Sequence, residues 1–194
     1  LFNRFPRADL EWLDLDLSTT KQPVHRIPVE FQIVLIERLI KFNVPVLLCG
    51  PSQSGKSVLC KQLWARLDSK QWNVKILHLS SLVDSMTLLR TILQSDLVRI
   101  QSNCYTGVEG KSVLFILVGI DRLRETTEDS ATELLRAIFE RNCVVARANE
   151  EIHFSNVHFI GEYTTVANQQ FTMNSMGARL QRHWFPLQIE NPVG

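Results

Sequence analysis

The chain has 194 residues, of which 45% are hydrophobic and 21% charged, a composition typical of a globular domain rather than of a disordered segment. The formal net charge of +1 excludes a bulk polybasic protein, so we expect neither nucleic-acid nor membrane-surface binding. The longest apolar runs, 44–50 and 113–120, are far shorter than the roughly 20 residues of a membrane helix. The cysteines are too widely spaced for zinc pairs, and we expect reduced, mostly buried thiols in a cytoplasmic protein: Cys49, Cys60, Cys104 and Cys143.

Residues 1–26 mix aromatic, acidic and turn-forming residues without a sustained period, which predicts an irregular lead-in or linker. Helices are predicted where apolar residues recur at helical spacing, over 29–42, 57–67, 85–101, 130–141 and 174–181. Strands are predicted where short runs are continuously apolar or alternate, over 44–49, 73–79, 113–120, 153–161 and 185–189.

This alternation predicts an α/β fold, with a doubly wound, mainly parallel five-stranded sheet and helices on both faces. We assign it to residues 27–190, with a short tail at 191–194. The chain begins at Leu1 rather than at a methionine, so we expect a piece of a longer protein.

The most specific motif is a full match to the phosphate-binding loop, G-x-x-x-x-G-K-[ST]. It follows a predicted buried strand and opens a predicted helix, as the mechanism requires, because backbone N–H groups and the helix N-terminus then face the phosphates. Lys56 supplies a cation to the phosphates, and the Ser57 hydroxyl is suited to binding Mg²⁺. The predicted phosphate-binding residues are Gly50, Pro51, Ser52, Gln53, Ser54, Gly55, Lys56, Ser57 and Val58.

An enzyme with this loop needs an acid at the end of a second buried strand to hold Mg²⁺. The predicted strand 113–120 is followed by Asp121, which is the metal-side candidate by spacing, although it could simply begin a turn. Arg122 occupies the next position, where a catalytic Glu would be expected. Because losing a positioned base costs about 10²–10⁴ in rate, the sequence favours nucleotide binding over hydrolysis.

Several segments, in order, resemble an AAA+ module of the dynein heavy chain, over about residues 25–190. Ile27 and Pro28 resemble its "VPT" segment, which implies that they contact the nucleotide. Residues 45–57 resemble "PVLFVGPTGTGKS", residues 133–136 match "ELLR", and residues 178–184 resemble "PRFLRHF". The "ELLR" match favours the third module of the six-module ring. The resemblance implies binding of ATP or ADP with Mg²⁺.

The chain departs from the family at the acids. The "FIDDLNMP" pair falls on Val118 and Gly119, so both acids are lost or Asp121 is a displaced substitute. The polar sensor falls on Thr164, which can hydrogen-bond a water over a shorter reach. The catalytic set that the resemblance implies is therefore Lys56, Asp121, Thr164 and Arg179.

Arg179 matches the arginine that reaches the neighbouring module's γ-phosphate, with Arg182 as a fallback, and either could be an ordinary surface residue. Glu133 and Arg136 lie one helical turn apart, so we expect them to pair with each other. His183, beside Trp184, is expected to pack or to cap.

The resulting hypothesis is a regulatory nucleotide-binding module with weak or no hydrolysis. Its partners would be neighbouring AAA+ modules and dynein subunits, with microtubules contacted indirectly, in the cytoplasm, on the cytoskeleton or in a cilium. An alternative is a competent AAA+ or STAND-type ATPase that uses Asp121 and another acid such as Glu125. A small P-loop kinase would need a lid rich in arginines, which the sequence lacks, and a scaffold with a vestigial loop would not respond to nucleotide.

Overall fold

A computed structural model describes residues 4–6, 12–14, 28–101, 103–123, 130–145, 150–165 and 178–189. The helices are α1 (Val29–Lys41), α2 (Lys56–Arg66), α3 (Ser85–Gln94), α4 (Ala131–Arg141) and α5 (Ala178–Gln181). The strands are β1 (Arg4–Pro6), β2 (Trp12–Asp14), β3 (Val46–Gly50), β4 (Trp72–His78), β5 (Leu97–Gln101), β6 (Cys104–Gly107), β7 (Ser112–Val118), β8 (Cys143–Val145), β9 (Glu151–Phe154), β10 (Val157–Thr164) and β11 (Phe185–Gln188). Among the described helices, none is long and apolar enough to cross a membrane.

The main sheet has five strands, the number that the sequence predicts, in the order β11-β3-β10-β7-β4. Every neighbouring pair is parallel, so all five carboxyl ends lie along one edge. Ligands of open α/β sheets bind at that edge. Strand β10 lies between β3 and β7, which places its residues beside both the phosphate-binding loop and the strand predicted to carry the acid.

Helices cover both faces of this sheet, which confirms the doubly wound fold. Helices α1 and α2 pack on one face through apolar residues such as Ile36 and Leu63, which join Leu48 and Ile160 of the sheet. The other face is covered by α3, α4 and α5, whose core residues are Leu88, Leu89, Ile92, Leu134, Leu135, Ile138 and Leu180. The continuous apolar strands of the sequence are therefore buried on both sides.

The predicted helix over 85–101 is wrong beyond Gln94. Helix α3 ends there, Ser95 caps it, and Asp96 adopts a left-handed conformation with a φ of 58°. Residues 97–101 then form β5, which pairs antiparallel with β6. Apolar residues of β5 continue the helical spacing of α3, which is why the sequence predicts a longer helix. The left-handed conformation of Asp96 ends the helix before them.

The predicted strand over 153–161 is also wrong, because it is two strands. A turn in which Asn156 has a φ of 57° separates β9 from β10. Strand β9 belongs to a separate four-stranded sheet, in the order β5-β6-β9-β8, which the sequence patterns did not predict. Within the predicted irregular lead-in, β1 and β2 pair antiparallel, so that expectation is wrong for these two short segments. The predicted tail at 191–194 and residues 174–177 lie outside the described residues.

Candidate functional site

The loop between β3 and α2 has the backbone conformation of a tight phosphate-binding turn. Gly55, which caps the start of α2, has a φ of 95°, and Gln53 also adopts a left-handed conformation. A Cβ at Gly50 would lie 2.3 Å from the Ile189 carbonyl oxygen, so only glycine allows the last strand to run this close. Since Gly55 has no side chain to cap α2, the first N–H groups of that helix are left to bind an anion.

Lys56 is the first residue of α2, and its side chain folds back under the loop. Only 6% of the residue is exposed. Its Nζ donates to the carbonyl oxygens of Gly50 and Pro51, both at 2.7 Å, and to Ser54 Oγ at 3.3 Å. Burial lowers the pKa of Lys56, while the charges of Glu162 and Asp121 oppose that shift. The structure therefore places a buried ammonium group inside the predicted phosphate-binding loop.

Ser57, the predicted magnesium ligand, donates a hydrogen bond from Oγ to Glu162 Oε2 at 3.0 Å. Glu162 lies on β10, and the residue is only 6% exposed. It also contacts Cys60 on α2, and burial together with this carboxylate raises the pKa of that thiol. A buried carboxylate is costly unless it is paired. Its hydrogen bonds and the charge of Lys56 compensate that cost.

Asp121, the acid predicted from spacing, lies in a short 3-10 turn (Ile120–Arg122) just past β7. It is exposed, and its Oδ1 accepts a hydrogen bond from the Thr164 backbone N–H at 3.1 Å. The fold thus brings together Asp121 and Thr164, both predicted site residues, at the carboxyl edge of the sheet. The hydrogen bond also gives Asp121 a structural contact with the last residue of β10.

The two positions that match the family's acids carry no carboxylate. Val118 ends β7, and its Cα register partners are Glu162 on β10 and His78 on β4. Gly119 follows in a left-handed conformation with a φ of 85°. Strand β7 therefore ends in an apolar residue followed by a glycine, and Asp121 is the first acid after it.

Arg179 is the second residue of α5 and Arg182 directly follows that helix, and both are exposed. Arg182 bonds to Glu140 on α4 at 3.2 Å and also donates to His183 Nε2. Arg179, in contrast, makes no hydrogen bond or ion pair with the other residues that the structure describes. Of the two, Arg179 is the one whose guanidinium is not engaged by any residue within the described ranges.

The predicted pair on α4 is present. Arg136 Nε donates to Glu133 Oε2 at 2.6 Å, and Arg136 also bonds to Glu140. His183 is half-buried, and burial followed by the charge of Arg182 lowers its pKa. The Glu133–Arg136 pair confirms that expectation, and Glu140, Arg182 and His183 extend it into a charge network that the sequence did not predict.

The remaining predicted nucleotide-contacting residues are spread along the surface of the site. Ser52, Gln53 and Val58 are exposed, and Val58 is 58% exposed. Pro28 precedes α1 and is exposed, and its carbonyl oxygen accepts the first hydrogen bond of that helix. Ile27, and the alternative acid Glu125, lie outside the described residues.

Glu162 is the residue that the sequence analysis missed. It sits within a strand whose neighbours are buried, and a charged residue in a doubly covered strand is rare unless it is paired. That rarity is a signal that could have found it. Its side-chain partners, however, come from a helix 100 residues away in the sequence, and no spacing rule connects them.

Two comparisons with known proteins agree with this geometry. Over 123 residues, or 63% of this chain, the sequence is 31% identical to midasin from Giardia intestinalis, and the match covers 2% of that protein. A family model described as the P-loop containing dynein motor region matches residues 15–192. The parallel five-stranded sheet and the loop before α2 are the parts that such a module requires. The chain belongs to the P-loop containing dynein motor region family of AAA+ modules.

Proposed function

We propose that the chain is an ATP- or ADP-binding module of a dynein-type motor heavy chain, with a regulatory role and weak or no hydrolysis of its own. The observation that carries this proposal is the loop, in which a buried Lys56 and the uncapped start of α2 converge. Phosphate oxygens would accept hydrogen bonds from the backbone N–H groups and would compete with the loop carbonyls for the Lys56 ammonium.

The residues around the loop fit Mg²⁺. Ser57 Oγ and Glu162 Oε2 lie 3.0 Å apart, and hydroxyl and carboxylate oxygens are the donors that this hard cation prefers. When bound, Mg²⁺ neutralises charge on the β- and γ-phosphates. Ser57 would hold the ion, and a carboxylate beside it would orient the ion's water shell.

Weak hydrolysis would follow from the strand end at Val118 and Gly119, because neither residue offers a carboxylate to orient an attacking water. Asp121 is engaged by the Thr164 N–H, and Arg122 carries the wrong charge for a base. Thr164 could still hydrogen-bond a water near the phosphates. A site that retains nucleotide without consuming it suits regulation, because its occupancy can shift contacts between modules.

The proposed setting is a ring, as AAA+ modules generally assemble. Arg179 would reach the nucleotide of the adjacent module, because it is exposed on α5 and unpaired among the described residues. The further partners would be subunits of a dynein complex, with microtubules contacted only through the assembled motor. We expect such a protein in the cytoplasm, on the cytoskeleton or in a cilium.

Calorimetry with Lys56→Ala tests the nucleotide site. We expect micromolar-class binding of ADP and ATP by the 194-residue chain and at least a 100-fold loss in the variant, about 2.7 kcal/mol. Lys61→Ala is the matched control, since Lys61 is exposed on the same helix. Equal nucleotide affinities of Lys56→Ala and the unsubstituted chain would overturn the assignment of the site. Tighter binding of GTP than of ATP would mean that the site is specific for guanine nucleotides.

Steady-state phosphate release tests the hydrolysis proposal separately. We expect no turnover above background in the unsubstituted chain. The competing ATPase reading, in which Asp121 serves as the metal-side acid near Lys56, predicts measurable turnover that drops in Asp121→Ala. That pattern would overturn the regulatory reading while leaving the nucleotide site intact.

A further inference from the structure

The metal-side acid of this module has moved to the neighbouring strand. The geometry points to Glu162 on β10, and not Asp121, as the carboxylate that positions Mg²⁺ together with Ser57. This inference rests on the proposed nucleotide function. It goes further, because it gives the role of positioning Mg²⁺ to Glu162, a residue to which the family resemblance assigns no function.

The strand register supports the replacement. Glu162 is the Cα partner of Val118 on one side and of Leu48, two residues before the loop, on the other. Val118 is one of the two positions onto which the resemblance places the family's acids, and the carboxylate of Glu162 lies one strand away from it, about 4.8 Å. That position brings it closer to the loop, because β10 is adjacent to β3 whereas β7 is not.

The face of the strand also agrees. Ile160 on β10 packs with the α1 and α2 side of the sheet, whereas Phe159 and Tyr163 pack on the opposite side. Since side chains alternate along a strand, Glu162 faces α2 with Ile160. Its hydrogen bond to Ser57 and its contact with Cys60 are the result, and they place the carboxylate under the first turn of α2.

Burial separates Glu162 from Asp121. Glu162 is 6% exposed, whereas Asp121 is exposed and accepts a backbone hydrogen bond from Thr164. A buried carboxylate beside the loop is costly to desolvate, so it is expected only where a positive charge compensates that cost. Lys56 is one such charge, and a bound divalent cation would be the second. The test must therefore separate a metal role from simple charge balance with Lys56.

The experiment measures ADP affinity of the 194-residue chain by calorimetry, in excess Mg²⁺ and in EDTA, for four proteins. They are the unsubstituted chain, Glu162→Gln, Asp121→Asn and Lys56→Ala. Glutamine keeps the size and the hydrogen bond to Ser57 while removing the charge. We expect Glu162→Gln to lose the gain in affinity that Mg²⁺ gives, by about 10–100-fold. Its affinity in EDTA should match or exceed that of the unsubstituted chain, and Asp121→Asn should keep the full gain.

Direct metal binding gives a second readout. Mn²⁺ titrated into the ADP complex and followed by electron paramagnetic resonance should bind at least tenfold more weakly in Glu162→Gln. If Glu162 only balances the charge of Lys56, the variant will keep both the Mg²⁺ gain and the Mn²⁺ affinity, which overturns the inference. Loss of the gain in Asp121→Asn alone would overturn it in favour of Asp121.

Two further outcomes keep the test decisive. If the unsubstituted chain binds no ADP with or without Mg²⁺, the proposed function fails. If instead Glu162→Gln binds ADP normally in EDTA and keeps the full gain from Mg²⁺, only the role of Glu162 fails. If Glu162→Gln does not fold, Glu162→Asp keeps the charge but shortens the side chain by one methylene. A reduced Mg²⁺ gain in Glu162→Asp supports the metal role, and an unchanged gain contradicts it.

Discussion

Single residues at the loop show how closely the backbone constrains the chemistry. Gly50 is fixed because a Cβ there would overlap the backbone of Ile189, which follows β11. The strand that ends the described fold thus packs directly against the loop that begins the site. At the same edge, Lys56 and Glu162 are both only 6% exposed and carry opposite charges that attract each other. Such pairs persist because removing either partner leaves the other charge uncompensated.

The cysteines allow a prediction on reactivity, because the thiolate is the reactive form. Burial raises the pKa of Cys49 to about 12, and burial also raises the pKa of Cys60. Cys104 is half-buried and more accessible. Iodoacetamide at pH 8, read by mass spectrometry, should therefore modify Cys104 readily and leave Cys49 and Cys60 unmodified until the protein unfolds. Modification of Cys49 at the rate of Cys104 in the folded chain would contradict this burial.

Capping residues and turns determine where a helix begins and ends, as much as its apolar residues do. Helix α3 begins where the Asp84 carboxylate accepts the Thr87 N–H at 2.6 Å, and α4 begins where Ser130 Oγ accepts the Glu133 N–H. Both are N-caps that satisfy a backbone donor. The apolar pattern after α3 continues past Gln94, yet the helix stops because Asp96 turns left-handed and the following residues pair with β6. The cap, the turn and the partner strand together decide the element.

Replacing the cap of α3 should have a measurable cost. We expect Asp84→Ala to lower the free energy of unfolding by about 1 kcal/mol, because the Thr87 N–H loses its acceptor. Asp84→Asn is the matched control, since asparagine caps about as well as aspartate. This substitution should lower the free energy of unfolding by only a few tenths of a kcal/mol. Urea denaturation followed by circular dichroism measures both. Equal losses in the two variants would mean that the charge of Asp84, and not its cap, stabilises the helix.

At the scale of the whole molecule, one half-buried histidine should make the free energy of unfolding depend on pH. His158 on β10 lies 5.0 Å from the Trp72 ring, and burial lowers its pKa below the ordinary 6.5. Its Nδ1 is buried without a hydrogen-bond partner among the described residues, so a proton there would be unsatisfied. The unfolded chain therefore takes up the proton first as the pH falls. The stabilisation is complete above pH 6.5 and is lost as the pH falls through the folded pKa.

This linkage predicts how a variant should behave. Between pH 6.5 and 5, the free energy of unfolding should fall by at most about 1.4 kcal/mol per pH unit through this group. His158→Phe, which keeps the ring against Trp72, should flatten that part of the curve. His78→Gln is the control, because His78 is exposed. Denaturation curves at several pH values decide it, and an unchanged slope in His158→Phe would mean that other groups carry the effect.

The sequence by itself determined where the strands of the main sheet and most of its covering helices lie, with errors at the ends of α3 and β10, and it determined the position of the loop, because each depends on a local pattern of apolar residues and glycines. It also identified Lys56 and Ser57, since the motif fixes both by spacing. It could not show the four-stranded sheet, because β5, β6, β8 and β9 are short and the sheet depends on β6 pairing with the distant strand β9. Only the tertiary structure brought Glu162 to Ser57, 105 positions away in the chain. Parallel strands place distant residues side by side, and their register is decided by packing on both faces rather than by any neighbouring residue.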